Sequence, residues 1–193
     1  MPQNSYQAIK AAVDLGFSVE TDLRVFEGRL VVSHDSPLSD ALDFQNLLSL
    51  DSSFALNIKE DGLALYVESF KDWLINSKSF FFDGSVPDMY AFRKQGIAHA
   101  LRLSEFEKSV PWESQYIWID GFEFEWWNIQ DLVERYSSSS KLIFVSPELH
   151  GRDYSQMWGN LCGLLSKDLD NIGICTDHPL EFLEFMEEHR GGK

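Results

Sequence analysis

Cysteine is almost missing from this chain: Cys162 and Cys175 are the only two, too few for a disulfide framework. No uninterrupted apolar run approaches the roughly 18 residues that span a bilayer. The opening Met1-Pro2-Gln3-Asn4-Ser5 has neither the basic flank nor the apolar stretch of a secretory signal. Positive charge is scarce, with 16 Lys and Arg against 31 Asp and Glu and a net charge of −15. A field of that sign repels phosphate backbones and anionic headgroups, which argues against nucleic-acid or membrane-surface binding. No charge block, Pro/Gly-rich linker or repeat divides the chain, and Ser137–Ser140 is short enough to be a solvated turn. The expectation is one domain over residues 1–193, soluble and cytoplasmic.

Against these absences stands a large apolar content: 44% hydrophobic and 14% aromatic residues, including 15 Phe and 6 Trp. That is too apolar for a disordered chain. Strand-like and helical patterns alternate from end to end. Tyr6, Ile9 and Val13 recur at helical spacing, with Asn4 or Ser5 as N-cap and Gly16 as stop. Strands are predicted at Phe17–Asp22 (with an extension at Leu30–Ser33), Phe54–Lys59, Phe80–Asp83, Ile97–Arg102, Tyr116–Asp120, Leu142–Ser146 and Ile172–Thr176. Helices are predicted over Ala64–Ile75, from Pro87 to Gly96, Ile129–Tyr136, Trp158–Leu165 and Leu180–Glu188. Strand followed by helix predicts a parallel sheet with helices outside. Seven strands fit an open doubly wound sheet or a barrel short of one strand.

Polar residues gather at the C-terminal ends of these strands: Glu20 and Asp22, Asn57 and Lys59, Asp83, Arg102, Asp120, Glu148 and His150, and Asp177. In a parallel barrel these ends form one mouth, where such enzymes carry their sites. The plainer alternative is that loops begin with polar residues, and Asp177 serves equally as a helix cap. Within Glu20-Thr21-Asp22 the carboxylates are two apart and share a strand face. Like charges on one face repel, and a hard cation such as Mg²⁺ or Ca²⁺ relieves the conflict. His34, at the end of an apolar run, suits acid–base work near neutral pH. Phe122, Phe124, Trp126 and Trp127, interleaved with Glu123 and Glu125, either line a cleft or pack under a helix. Cys162 and Cys175 read as small buried residues.

Asn4-Ser5, Glu20-x-Asp22, Gly28 and His34-Asp35 together resemble the opening of the glycerophosphodiester phosphodiesterases, members of the phosphatidylinositol phospholipase C-like barrels. The likeness continues through Leu56-Asn57-Ile58-Lys59 and Thr176-Asp177-x-Pro179. It implies a TIM-type (β/α)8 barrel whose first strand, carrying His-Arg, would precede Pro2, so that seven strands remain. It implies Glu20 and Asp22 as ligands of Mg²⁺ or Ca²⁺, with Asn57 standing where the family usually has a third carboxylate ligand. His34 matches the histidine that protonates the leaving group, and Lys59 a lysine near the phosphate; Arg102, Asp120, Glu148 and His150 are expected to meet substrate. Gln3 replaces a common glutamate. His189-Arg190-Gly191 spells the missing triplet, but no apolar strand precedes it, so it is read as coincidence. The implied reaction is metal-dependent hydrolysis of a phosphodiester. A chain without the His-Arg strand is expected to hydrolyse weakly, and either a second copy or the N-terminal segment is expected to cover the open barrel edge. The alternatives are an impaired barrel that binds a phosphate or sugar-phosphate, and a metal-dependent sugar isomerase, which would want more ligands on later strands.

Overall fold

The computed structural model describes residues 3–165 and 171–190, so Gly191 of the His-Arg-Gly triplet lies outside it. Backbone contacts gather into two compact units, Met1–Ala100 and Leu101–Lys193.

In the first unit, α1 (Tyr6–Asp14) starts at Ser5, whose hydroxyl accepts the Ala8 N–H at 3.3 Å. Strand β1 (Val19–Phe26) turns at Glu27-Gly28 into β2 (Arg29–Val32), its antiparallel partner. Both turn residues have positive φ, 48° and 77°, the mirror-image turn whose twist matches a hairpin. The predicted extension after β1 is therefore a returning strand, and β3 (Leu42–Asp43) adds to it. On the other flank β4 (Phe54–Ile58) and β5 (Phe80–Phe82) run parallel to β1, giving the order β3-β2-β1-β4-β5. The register sets Asp22 opposite Asn57, which brings two of the candidate site residues side by side.

The helix predicted over 64–75 is instead two 3-10 turns, Leu63–Leu65 and Glu68–Phe70, leading into a short α2 (Lys71–Asn76). Its apolar spacing was meaningful, since Leu63, Val67 and Leu74 are all buried. Packing, including Phe70 edge-on to Phe44 at 5.2 Å, outweighs the local helical period. Helix α3 (Val86–Gln95) carries Pro87 in its first turn and ends at Gly96, as the sequence suggests. It stacks Phe92 on Phe81 of β5 at 4.3 Å.

The second unit holds the sheet β6 (Ala100–Leu103), β7 (Tyr116–Ile119), β8 (Lys141–Val145) and β9 (Ile172–Cys175), in that order. β7, β8 and β9 are parallel. Between them run α4 (Ile129–Tyr136), capped by the Asn128 side chain, and α5 (Ser155–Leu165); α6 (Pro179–Arg190) follows. Fully buried Trp158 centres this core and satisfies its indole N–H on the Ser146 hydroxyl at 2.8 Å.

All of the expected strands are present, and β2 and β3 are additional. The closed barrel is not what strand pairing among the described residues draws: it forms one five-stranded and one four-stranded sheet. The reason lies in the weak strand predicted at Ile97–Arg102. Beyond the short β5, pairing shrinks to a single parallel bridge, Phe81 to His99, and regular structure resumes only at Ala100. The flank of β1 expected to be bare is covered in part. Asp22 receives the Ser33 N–H on its carbonyl at 3.0 Å and gives its own N–H to the Asn4 amide oxygen at 3.3 Å.

Candidate active site

The first unit concentrates its chemistry where β1 and β4 lie side by side at Asp22 and Asn57, near the end of β4; β1 itself runs on to Phe26. Asp22 is buried and makes contact on both oxygens: Lys59 Nζ lies 3.0 Å from Oδ1, and the Asn4 amide donates to Oδ2 at 2.7 Å. Asn4 also accepts the Thr21 hydroxyl at 2.7 Å. Neighbouring Glu20 is exposed on β1. Partial desolvation of its carboxyl raises its pKa, the Asp22 charge raises it further, and a hydrogen bond from Asn57 and the Lys59 charge oppose the rise. With Asp83 adding its own repulsion, the carboxyl is pushed up to about 7. The water that still reaches Glu20 screens these charges, so the shift does not translate into a comparable loss of stability.

The Asn57 side chain counters the rise in the Glu20 pKa, and its own oxygen, Oδ1, is buried and without a hydrogen-bond partner among the described residues. A buried acceptor left unpaired costs free energy, and a hard cation beside it would remove that cost. Glu20, Asn57 and Asp22, whose carboxylate retains lone pairs beyond its two contacts, therefore fit a divalent ion. The set depends on the amide. Among the described residues no group of three His, Cys, Asp or Glu side chains is placed to hold a metal.

His34 stands apart in its contacts. Its side chain is 68% exposed, its Nδ1 lies 3.1 Å from Asp35 Oδ1, and its carbonyl accepts two hydrogen bonds from Arg24. No contact among the described residues joins it to Glu20 or Asp22.

The second unit carries its own group at the ends of β7 and β8. Buried Asp120 directly follows β7, and His150 closes the 3-10 turn Pro147–His150 after β8. His150 Nε2 lies 2.7 Å from Asp120 Oδ1. In the same turn Glu148 Oε1 accepts the Thr176 hydroxyl and the Asp177 N–H, while Glu148 Oε2 is a second buried oxygen without a partner. Arg152 ties the turn to the Gly121 carbonyl and to Glu125. Arg102 pairs with Glu107 and lies over the Phe122 ring at 5.2 Å. All four residues expected to meet substrate are thus held in contacts within this unit. The aromatic segment divides: Trp126 and Trp127 pack on the core, whereas Phe122 and Phe124 are exposed. Cys162 is buried and Cys175 half-buried.

Sequence reasoning gave Asn4 a capping role and a place in the Asn4-Ser5 match, but no contact with Asp22. Its position one residue ahead of the true cap, in the left-handed region at φ 56°, is where asparagine is favoured.

No family model matches the sequence, and no curated protein matches it. Among solved structures, a glycerophosphodiester phosphodiesterase from Agrobacterium tumefaciens str. C58 superposes with a TM-score of 0.57 at 14% identity, covering 90% of this chain and 89% of its own. At that identity the likeness is one of fold. Among the described residues no helix is long and apolar enough to cross a membrane.

Proposed function

We propose that this chain is a metal-dependent phosphodiesterase of the barrel type that its sequence resembles, with Mg²⁺ or Ca²⁺ held by Glu20, Asp22 and Asn57. The observation that carries the reading is the buried, unpartnered Asn57 Oδ1 of β4, opposite Asp22 and near Glu20 on the neighbouring strand β1; the fold likeness adds to it. A cation bound there would neutralise charge on the phosphoryl oxygens. Lys59, fixed by Asp22, brings a further positive charge to the same strand end, suited to an anionic phosphate. His34, with Nδ1 engaged by Asp35, keeps Nε2 to protonate the departing alcohol.

The test pairs binding with turnover. Calorimetric titration with Mg²⁺ and Ca²⁺ should give a site that Glu20→Gln and Asn57→Leu each weaken at least tenfold. Hydrolysis of a glycerophosphodiester should require that metal and fall about 10²- to 10⁴-fold in His34→Ala. A chain that binds metal and phosphodiester but never turns over is a phosphate-binding protein instead. A chain in which these variants change neither property is neither.

A further inference from the structure

Strand β1 outruns its neighbour β4: the last paired residues are Leu23 and Ile58, while β1 continues to Phe26. Past that point a side chain replaces the missing strand, and Glu60 Oε1 accepts the Val25 N–H at 2.6 Å. Glu60 is thereby fixed, and its other oxygen lies 3.7 Å from Nη1 of Arg24. Arg24 stands two residues beyond Asp22, so it shares a face of β1 with Glu20 and Asp22. Its guanidinium donates twice to the carbonyl of His34, ten residues on, from Nε at 3.0 Å and from Nη2 at 2.9 Å. The same loop is tied by Ser33, whose N–H donates to the Asp22 carbonyl at 3.0 Å and whose hydroxyl donates to the Asp35 carbonyl at 2.9 Å. The imidazole has little else to place it: the His34 side chain is 68% exposed and leans on Asp35, itself 94% exposed. An ion pair at 3.7 Å between partly exposed groups adds little stability. Two guanidinium donors on one carbonyl, in contrast, restrict where that carbonyl sits.

We propose that Arg24, held by Glu60, is a positioning residue of the reaction: its grip on the His34 carbonyl sets the imidazole where it protonates the departing alcohol. This rests on the phosphodiesterase reading above. In that reaction a water oxygen bonds to phosphorus and gives up one proton to solvent, and the bond from phosphorus to the alcohol oxygen breaks. The alcohol oxygen takes the Nε2 proton of the His34 imidazolium, and solvent restores it, so atoms and charge balance. Arg24, Glu60 and His34 all belong to the first unit, and the grip joins the strand that carries Glu20 and Asp22 to the loop that carries His34. Arg24 acts only through His34, so its loss matters only where the leaving group needs a proton.

The test uses the full chain with Mg²⁺ or Ca²⁺ and two diesters: a glycerophosphodiester, whose departing alkoxide needs a proton, and bis(p-nitrophenyl) phosphate, whose nitrophenolate does not. Arg24→Gln should lower kcat on the first about 10- to 10²-fold, leave kcat on the second within about threefold, and shift neither KM by more than about threefold. Adding Arg24→Gln to His34→Ala should lower the first rate no further, because the two residues act as one. Calorimetric Mg²⁺ affinity should match wild type within about twofold, which separates the grip from the metal site. Arg24→Lys keeps the charge without the paired donors and should show the same split between substrates; it replaces the glutamine variant if thermal melting shows that variant unfolded. If wild type turns over both diesters and the variants lose rate equally on the two, Arg24 is structural only and the phosphodiesterase reading stands. Unchanged rates on both, or a further loss in the double variant, also overturn the proposal. A wild type that hydrolyses neither diester in either metal overturns the phosphodiesterase reading and this inference together, an outcome distinct from the others.

Discussion

The two units handle carboxylate charge in opposite ways. Where β1 and β4 lie side by side, Glu20 and Asp22, with Asp83 adding repulsion, face one lysine, and a buried amide oxygen is left over. In the second unit four carboxylates have donors: His150 for Asp120, Arg152 for Glu125, Arg102 for Glu107, and Thr176 with the Asp177 N–H for Glu148. The first arrangement is short of positive charge and suits a cation. The second pairs more of its charge within the unit, and what it leaves buried and unpartnered among the described residues is one oxygen of a neutralised network, Glu148 Oε2, and the Arg152 Nε.

The largest effect expected from disturbing this contrast lies in the core beneath the second unit's network. Trp158→Ala empties a fully buried site and leaves Ser146 without its indole donor. Chemical denaturation should show a loss of about 3–5 kcal/mol. Asp120→Ala removes a buried hydrogen-bond partner and should cost about 1–3 kcal/mol by the same measurement. Near-zero loss would mean that the Asp120–His150 contact contributes nothing to the stability of the second unit. In the first unit, Gly28→Ala puts a Cβ at φ 77° and should cost about 1–2 kcal/mol, loosening the hairpin on the flank of β1.

The smallest effect is the most specific. Glu20 is raised in the folded chain to about 7 from an ordinary 4.5, so the metal-free folded state holds more protons than the unfolded state between those values. Its contribution is fully present below about 4.5 and is lost as pH rises through about 7. Glu20→Gln should remove that slope from a series of melts while barely changing stability at pH 4. An unchanged slope in the variant would place the titration on another group.

Local pattern revealed what depends on local geometry. The strand positions, the turn at Glu27-Gly28, the shared face of Glu20 and Asp22, the Ser5 cap of α1 and the Pro87 and Gly96 ends of α3 follow from period, positive-φ propensity and side-chain capping, all of which act within a few residues. What stayed hidden depends on contacts distant in sequence. Asn4 reaches Asp22 across 18 residues and His150 reaches Asp120 across 30, and no spacing rule encodes either pairing. The aromatic segment could not be assigned for the same reason, since only the core contacts of Trp126 and Trp127 separate them from exposed Phe122 and Phe124. The break in pairing after β5 is also tertiary: Ile97–Arg102 has a strand's composition but keeps one bridge, at His99.

Whether the first unit is short of a cation is decided most directly by calorimetric titration of the metal-free chain with Mg²⁺ and Ca²⁺, run beside Asn57→Leu. That variant removes the unpartnered oxygen and leaves both carboxylates in place. The expected result is one site in the wild type, with affinity at least tenfold weaker in Asn57→Leu. Equal binding in both chains, or none in either, would contradict the account.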